Sequence, residues 1–167
     1  IWCIAYSRDG DFLATGSEDR SVRLWLGTSG ALRTVLNGHT GGVTSLCFGK
    51  GGRILATSSK DHTARVWDTA NGTVRNICRG HTASVTDVSV SPNGLLLATS
   101  SKDTTAQLWW LGSSSSCRYR MEGHKQPIMS MQLSPDDAWV ATASRDKVIR
   151  LWATNSGACA VELYGHT

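Results

Sequence analysis

Apolar positions along the chain fall into short runs that polar and glycine-rich tracts separate. In residues 41–82 the runs are Val43–Phe48, Ile54–Ser58, Thr63–Trp67 and Val74–Cys78. β-Branched and aromatic residues are frequent in these runs, and residues typical of turns lie between them. This segment therefore predicts four short strands joined by turns, and the same pattern recurs along the rest of the chain.

Three series of residues, which we call ladders, recur along the chain with matching spacing. Gly-His pairs end at His39, His81, His124 and His166, which are 42, 43 and 42 residues apart. Tryptophans recur with nearly the same spacing, and an aspartate lies six residues before each of them: Trp25, Trp67, Trp109 and Trp152, with Asp19, Asp61, Asp103 and Asp146. The extra residue of the third repeat lies in the polar tract Leu111–Cys117, which predicts a loop. The ladders predict four repeats, at about residues 1–40, 41–82, 83–125 and 126–167.

Each repeat predicts one small four-stranded sheet. A sheet of this length cannot bury both of its faces alone, so neighbouring sheets must stack face to face. This excludes a helical fold and leaves an all-β propeller or an all-β sandwich.

Composition excludes several classes of protein. The 167 residues are 40% hydrophobic, without an apolar run long enough to cross a membrane. Five cysteines lie singly, without the Cys/His spacing of a zinc site, so we expect reduced thiols buried in the core, no metal and no cofactor. A net charge of +4 and a pI near 9.0 are mild for this length and do not by themselves imply nucleic acid. The chain does not begin with Met and shows no signal peptide, so it is expected to be a piece of a longer intracellular protein, cytoplasmic or nuclear.

The spacing of the repeated residues now allows a comparison with known families. A Gly-His pair, a Ser-x-Asp about 22 residues later, and an apolar strand ending in Trp resemble the WD40 repeat over nearly the whole chain. Only Trp67-Asp68 carries the Trp-Asp dipeptide that gives this family its name. The resemblance implies a WD40-type β-propeller with four blades of four antiparallel strands, belonging to a larger ring or to a half-ring that oligomerises.

The resemblance also implies a hydrogen-bonded tetrad in each blade, formed by a loop His, a Thr of the second strand, a turn Asp and a Trp of the third strand. Three tetrads are complete: His39, Thr57, Asp61 and Trp67; His81, Thr99, Asp103 and Trp109; His124, Thr142, Asp146 and Trp152. Hairpin pairing is expected to place Trp67 opposite residue 56 or 57, which favours Thr57 over Ser59 as the hydroxyl partner. A catalytic site occurs once, whereas this set recurs, so we expect a structural network and no enzyme.

The fourth tetrad is divided between the two ends of the chain. Thr15, Asp19 and Trp25 have no preceding His, while His166 has no following Asp or Trp. Three explanations remain open. The four blades are part of a larger ring, His166 of one copy completes the first blade of another, or four blades close within one chain.

A partner surface is expected beside the tetrads, on the face of loops and turns where the partners of similar proteins bind. The residues flanking the tetrad aspartates are Glu18, Lys60, Lys102 and Arg145 before them and Arg20, His62, Thr104 and Lys147 after them. Basic groups at Lys60, Lys102 and Arg145 suggest an acidic or phosphorylated peptide, but charged turns are also common on plain solvated surfaces, which is the favoured interpretation. Trp2, Trp110 and Trp139 lie outside the tetrads and could be interface anchors, but packing between sheets is the favoured interpretation.

These features predict a non-catalytic scaffold for protein–protein interaction, with proteins or peptides as partners, no membrane, and a possible homo-oligomer completing the ring. A nucleic-acid or phosphate-binding propeller is the alternative, and an enzyme is the least favoured interpretation.

Overall fold

The structure, a computed structural model, describes residues 1–112 and 116–166 and confirms an all-β fold. Sixteen strands follow one another in chain order: β1 Cys3–Tyr6, β2 Phe12–Gly16, β3 Val22–Leu26, β4 Leu32–Leu36, β5 Val43–Phe48, β6 Ile54–Ser59, β7 Thr63–Asp68, β8 Val74–Arg79, β9 Val85–Val90, β10 Leu96–Ser101, β11 Ala106–Trp110, β12 Ser116–Met121, β13 Ile128–Leu133, β14 Trp139–Ser144, β15 Ile149–Ala153 and β16 Cys159–Leu163. A short 3-10 turn at Lys50–Gly52 joins β5 to β6. Residues 113–115 of the loop expected at Leu111–Cys117 lie outside the described residues, and β12 begins at the last two residues of that tract.

The strands form four separate antiparallel sheets, each a meander of four consecutive strands. We call these sheets blade 1 (β1–β4), blade 2 (β5–β8), blade 3 (β9–β12) and blade 4 (β13–β16). The predicted strands of blade 2 are confirmed, with β6, β7 and β8 each ending one residue later than expected.

Consecutive blades pack face to face and enclose three apolar clusters. Leu24 and Leu36 of blade 1 meet Trp67 of blade 2, and equivalent clusters lie between blades 2 and 3 and between blades 3 and 4. Every residue of β6 and β10 is buried, because blades 2 and 3 are covered on both faces. Stacking therefore supplies the burial that one sheet could not provide.

Three tryptophans depart from the expected packing. Trp2, Trp110 and Trp139 are exposed rather than buried between sheets, with 65%, 38% and 39% of their surface accessible. Trp110 ends β11 and lies over Gly112, outside the apolar clusters. Trp2 and Trp139 belong to blades 1 and 4, each of which has only one face covered by a neighbouring blade.

Candidate functional site

A chain of hydrogen bonds crosses the buried part of blade 2. The Nε2 atom of His39 is 2.8 Å from Thr57 Oγ1, and His39 Nδ1 is 2.8 Å from Asp61 Oδ2. The indole N–H of Trp67 donates to Thr57 Oγ1 at 2.9 Å. The backbone N–H of Thr40 also donates to Asp61 Oδ2, at 2.9 Å. The loop before β5, the turn after β6 and the third strand are therefore tied together by four side chains.

Blades 3 and 4 repeat this arrangement with the same distances. In both, the histidine nitrogens are 2.8 Å from the Thr hydroxyl and the Asp carboxylate, and the tryptophan bond is 2.9 Å. The residues brought together are His81, Thr99, Asp103 and Trp109, and His124, Thr142, Asp146 and Trp152. We call each set of four a tetrad.

Blade 1 holds only part of a tetrad. The indole of Trp25 donates to Thr15 Oγ1 at 3.0 Å, as in the other blades. Asp19, however, is exposed and accepts hydrogen bonds from the hydroxyl and backbone N–H of Ser21. His166 is also exposed, and no hydrogen bond joins it to another described residue.

The strand register of the tetrad differs from the expected one. Trp67 pairs with Leu55 across the β6–β7 hairpin, not with residue 56 or 57. Thr57 is two residues further along β6 than Leu55, so its side chain is on the same face of the sheet as that of Leu55. The Trp67 indole therefore reaches Thr57 along that face, rather than directly across the strand pair.

The protonation of the tetrad follows from its partners. An ionised carboxylate only accepts hydrogen bonds, so His39 donates to Asp61 from Nδ1. Burial by itself raises the pKa of the Asp61 and Asp103 carboxyls, but hydrogen bonds from His, Thr and backbone N–H groups outweigh burial and hold both pKa values far below the usual range. For Asp146, hydrogen bonds likewise outweigh burial and lower the pKa of the carboxyl to about 2.

The residues that flank the tetrad aspartates lie on the surface. Seven of the eight are exposed and Thr104 is half-buried. Lys60 donates to both carboxylate oxygens of Glu18, at 2.7 and 2.8 Å, and its ammonium lies 5.0 Å from the centre of the Trp2 ring. Lys60 is therefore already paired with an acidic group, whereas Lys102 and Arg145 have no carboxylate within 4.0 Å among the described residues.

The residue after each tetrad aspartate has an unusual backbone. Arg20, His62, Thr104 and Lys147 all have φ between 68° and 74°, a left-handed conformation that side chains other than glycine rarely adopt. The turn thus has the same shape in all four blades, and it carries the adjacent basic residue at an equivalent position in blades 2, 3 and 4.

Comparison with known proteins identifies the repeat. The family profile described as WD domain, G-beta repeat matches residues 1–25, 30–68, 72–109 and 115–153, which is most of the chain. The chain belongs to the WD40 repeat family. Proteins of this family are generally protein-interaction scaffolds, and the stacked sheets are blades of a WD40 β-propeller.

Two curated relatives match one part of the chain each. A bromodomain and WD repeat-containing protein of Dictyostelium discoideum is 37% identical over 46 residues, which are 28% of this chain and 2% of that protein. Nuclear distribution protein PAC1-1 of Uncinocarpus reesii is 45% identical over 49 residues, which are 29% of this chain and 11% of that protein. The likeness thus covers little more than one WD40 repeat of much longer proteins.

Two residues beyond the expected tetrads complete the WD40 network in blades 2 and 3. Thr63 and Thr105 follow the tetrad aspartates by two positions, are buried, and donate their hydroxyls to the carboxylates at 2.6 and 2.7 Å. In blade 4 this position is Val148, which has no hydroxyl, and Asp146 has fewer donors than its counterparts. A fourth ladder, of hydroxyl residues at Ser21, Thr63 and Thr105, could have revealed them.

Asp87 is a further residue that the repeat pattern did not indicate. It lies on β9, where one oxygen accepts from Ser45 at 2.7 Å and the other from Ser130 at 2.9 Å and from the Met131 N–H at 3.0 Å. Its carboxylate therefore links blades 2, 3 and 4 through their first strands. Its only signal in the sequence is a charged residue within an apolar run.

The glycine of each Gly-His pair lies in close packing. A Cβ atom added to Gly38, Gly80 or Gly123 would lie 3.2–3.4 Å from the tryptophan ring of the same tetrad. It would also lie within 2.8 Å of the end of the side chain of Arg65, Gln107 or Arg150, which would have to shift. Glycine thus lets the loop lie against the tryptophan ring without displacing these side chains.

Acid should weaken the tetrads. Each tetrad aspartate has a lower pKa in the folded chain than the value of ~3.9 expected in the unfolded chain. Its contribution to the free energy of unfolding is therefore complete at higher pH and is lost as pH falls through the folded pKa. We expect the thermal midpoint to fall between about pH 4 and about pH 2, as measured by circular dichroism.

The Asp146→Asn variant is the control for this measurement, because it has no carboxylate to protonate at that site. It should lose less stability than the wild type over the same pH interval. An equal loss in both proteins would show that Asp146 does not contribute to the acid dependence.

No group of three or more potential metal ligands occurs in residues 1–112 and 116–166. In the same part of the chain, no helix is long and apolar enough to cross a membrane.

The cysteines are unpaired, with Cys78 buried, Cys3 and Cys47 half-buried, and Cys117 and Cys159 exposed. Two of the five are therefore not the core thiols expected.

Proposed function

We propose that this chain is a non-catalytic scaffold that binds an acidic or phosphorylated peptide on the loop surface beside the tetrad aspartates. The observation that carries the proposal is the placement of Lys102 and Arg145. Both are exposed, hold equivalent positions in neighbouring blades, and lack a carboxylate partner among the described residues. A phosphate or a carboxylate bound between them would form charge-assisted hydrogen bonds.

The tetrads support a structural role rather than a catalytic one. Each histidine ring has both nitrogens within hydrogen-bond distance of the threonine and the aspartate of its own blade, and the ring is buried. A general base needs a free nitrogen within reach of a substrate. These side chains therefore hold the loops in place, and the exposed residues of those loops are left to contact a partner.

The pairing of Lys60 narrows the proposed surface. Because Lys60 already binds Glu18, we assign the main contacts to Lys102 and Arg145, with Lys147 and Lys60 beside them. The residue after each tetrad aspartate has the same left-handed backbone in every blade, so the turns hold these side chains at equivalent points before a partner arrives. A preorganised backbone loses little conformational freedom on binding.

Charge reversal tests the proposal. In low salt, Lys102→Glu with Arg145→Glu should weaken binding of a fluorescein-labelled phosphoserine or poly-glutamate peptide at least about tenfold. Lys60→Glu alone should have a smaller effect, because Lys60 is partly neutralised. The control is Arg8→Glu with Arg53→Glu, which changes the net charge equally at exposed residues of the turns between first and second strands. Equal binding by all variants would contradict the proposal.

The same titration separates a peptide from nucleic acid. Binding of a labelled single-stranded oligonucleotide with a steep loss of affinity in salt, without binding of either peptide, would favour the nucleic-acid alternative. The name of one relative, a nuclear distribution protein, supports a proposed intracellular location. We also include in this proposal that further blades, from a second copy or a longer chain, close the arc of four.

A further inference from the structure

Three asparagines of the chain are followed by glycine, in the pairs Asn37-Gly38, Asn71-Gly72 and Asn93-Gly94. An asparagine in this setting can lose its side-chain amide without an enzyme, because the backbone nitrogen of the next residue attacks the side-chain carbonyl carbon. That nitrogen must lose its proton, and glycine hinders the attack least since it has no side chain. The structure separates the three pairs by whether the reacting groups are held.

Two of the pairs lie in tight turns that hold them by hydrogen bonds. In each, the glycine N–H donates to a backbone carbonyl at 2.8 Å. Asn71 Oδ1 accepts hydrogen bonds from the N–H and the hydroxyl of Thr73, at 3.0 and 2.7 Å. The Asn93 side chain accepts a hydrogen bond from Ser91 and donates one to Asp137. These bonds keep the proton on the attacking nitrogen and restrict rotation of the side-chain amide.

Asn37-Gly38 lies in the loop before β5 and is free of these restraints. Both residues are exposed, and neither the Asn37 side chain nor the Gly38 N–H forms a hydrogen bond with another described residue. Water and base therefore reach the Gly38 N–H, and the Asn37 amide can rotate until its carbonyl carbon meets that nitrogen. The corresponding residues in the loops before β9 and β13 are Arg79 and Glu122, which carry no side-chain amide.

A positive charge lies beside this loop. A Cβ atom added to Gly38 would lie 2.7 Å from a guanidinium nitrogen of Arg65, which places that guanidinium next to the Gly38 backbone. Arg65 is half-buried, and its Nε atom has no hydrogen-bond partner among the described residues, whereas Arg150 at the same position of blade 4 is paired with Glu162. The Arg65 charge therefore stabilises the negative charge that develops on the Gly38 nitrogen and on the Asn37 oxygen during the attack.

We propose that Asn37 is a site of spontaneous deamidation, with water as the co-reactant, and that Arg65 promotes the reaction. A bond forms between the Gly38 nitrogen and Asn37 Cγ, and the Cγ–Nδ2 bond breaks. The side-chain nitrogen takes the proton that the Gly38 nitrogen loses and leaves as ammonia, and a five-membered succinimide ring remains. Water then opens the ring at either carbonyl, which gives an aspartate or an isoaspartate at position 37. The new carboxyl is ionised at neutral pH.

The isoaspartate product changes the loop that carries His39. Its main chain runs through the former side chain and contains one additional carbon atom, directly before Gly38. The loop is already tightly packed, since a Cβ atom on Gly38 would lie 3.3 Å from the Trp67 ring. The His39 ring is held 2.8 Å from both Thr57 and Asp61, and a longer loop moves it away from these partners. Deamidation therefore weakens the tetrad of blade 2.

The same loop supports the turn that carries Lys60. The Lys60 N–H donates to the Gly42 carbonyl and the Thr40 N–H donates to Asp61 Oδ2, each at 2.9 Å. A displaced loop therefore also disturbs the surface to which the proposed function assigns a partner. The inference goes beyond that function and does not depend on it, because deamidation is measured without any partner.

Peptide mapping of the full chain tests the site. The three Asn-Gly pairs fall in separate tryptic peptides, residues 34–50, 66–75 and 80–102, so mass spectrometry follows each conversion independently. After incubation at mildly alkaline pH, which favours loss of the backbone proton, conversion at Asn37 should be at least about tenfold faster than at Asn71 or Asn93. Equal rates at the three sites of the folded chain would overturn the proposal.

The same incubation in urea is the control, because unfolding removes the hydrogen bonds that hold Asn71 and Asn93. The rates at the three sites should then converge, since each asparagine precedes a glycine. A lead of Asn37 that persists undiminished in urea would show that its neighbours in sequence, and not the fold, cause the faster reaction. That result would also overturn the proposal.

Arg65→Gln tests the part assigned to the guanidinium. Glutamine holds the equivalent position of blade 3 as Gln107, so we expect the variant to fold. Conversion at Asn37 should slow by about threefold to tenfold, while Asn71 and Asn93 keep their rates. Arg65→Lys keeps the positive charge and should retain most of the rate at Asn37. A rate at Asn37 that Arg65→Gln leaves unchanged would contradict the role of Arg65.

Thermal unfolding tests the consequence for the tetrad. The wild-type midpoint should fall by about 2–10 °C as isoaspartate accumulates, while Asn37→Ser, which cannot deamidate, should keep its midpoint during the same incubation. Freshly prepared Asn37→Asp carries the charge without the additional carbon atom and should unfold within about 2 °C of fresh wild type. An aged wild type that contains isoaspartate and keeps its midpoint would overturn the effect on the tetrad, and so would an equal loss in Asn37→Asp.

Discussion

Replacing Trp67 by alanine should lower the free energy of unfolding by about 3–5 kcal/mol, which is a large part of the total stability of a domain. The Trp67 side chain is 1% exposed and fills the cluster between blades 1 and 2. Its indole N–H also donates to Thr57, and the edge of the His39 ring packs against it with centroids 6.2 Å apart. The substitution removes packing and a hydrogen bond together, and urea unfolding followed by circular dichroism measures the loss.

Trp110→Ala is the matched control for this prediction. Trp110 has the same side chain at the end of the equivalent strand of blade 3, but it is 38% exposed and lies outside the apolar clusters. Its replacement should lower the free energy of unfolding by about 1 kcal/mol or less. Equal losses for the two variants would mean that the size of the side chain, and not its place between blades, determines the effect.

Asp61→Ala should produce the second large loss, about 1–3 kcal/mol in the free energy of unfolding. The carboxylate accepts hydrogen bonds from the His39 ring, the Thr40 N–H, and both the hydroxyl and the N–H of Thr63. Alanine leaves these donors without their partner, and His39 and Thr63 are buried where water reaches them poorly. Thermal and urea unfolding both report the loss.

Asp11→Ala serves as the control for Asp61→Ala. Asp11 is an exposed residue of the β1–β2 turn whose carboxylate accepts no hydrogen bond from another described residue. Its replacement should change the free energy of unfolding by less than about 0.5 kcal/mol. If Asp61→Ala were equally mild, the tetrad would not stabilise the blade, and the structural role proposed for it would be wrong.

The fold was largely predictable because its signal is local and repeated. Strand runs, turn residues and the three ladders recur about every 42 residues, and each copy supports the others. Periodicity does not fix strand register, which depends on the shape of each turn. The pairing of Trp67 with Leu55, one residue from the expected position, shows this limit.

The candidate site was only partly predictable. Spacing indicated which His, Thr, Asp and Trp belong to one tetrad, because the Thr, Asp and Trp follow the His at the same intervals in all three sets. Thr63 and Asp87 were missed for different reasons: Thr63 resembles any strand threonine, and Asp87 binds serines on two other blades, about 42 residues away in either direction. The pairing of Lys60 with Glu18 joins two repeats in the same way and changes which charges are available to a partner.

The sequence by itself determined the repeat, the all-β class, the four blades and the residues of each tetrad, since all of these depend on short spacings that recur along the chain. Tertiary structure alone decided which faces are covered, because burial depends on how blades stack. It showed that Trp2, Trp110 and Trp139 are exposed, that Lys60 is paired, and that blades 1 and 4 each have one face that no other described blade covers. The sequence shows one tetrad divided, with Thr15, Asp19 and Trp25 apart from His166. Only the stacked blades show that Thr15, Asp19 and Trp25 line a cavity and that the His166 side chain is exposed.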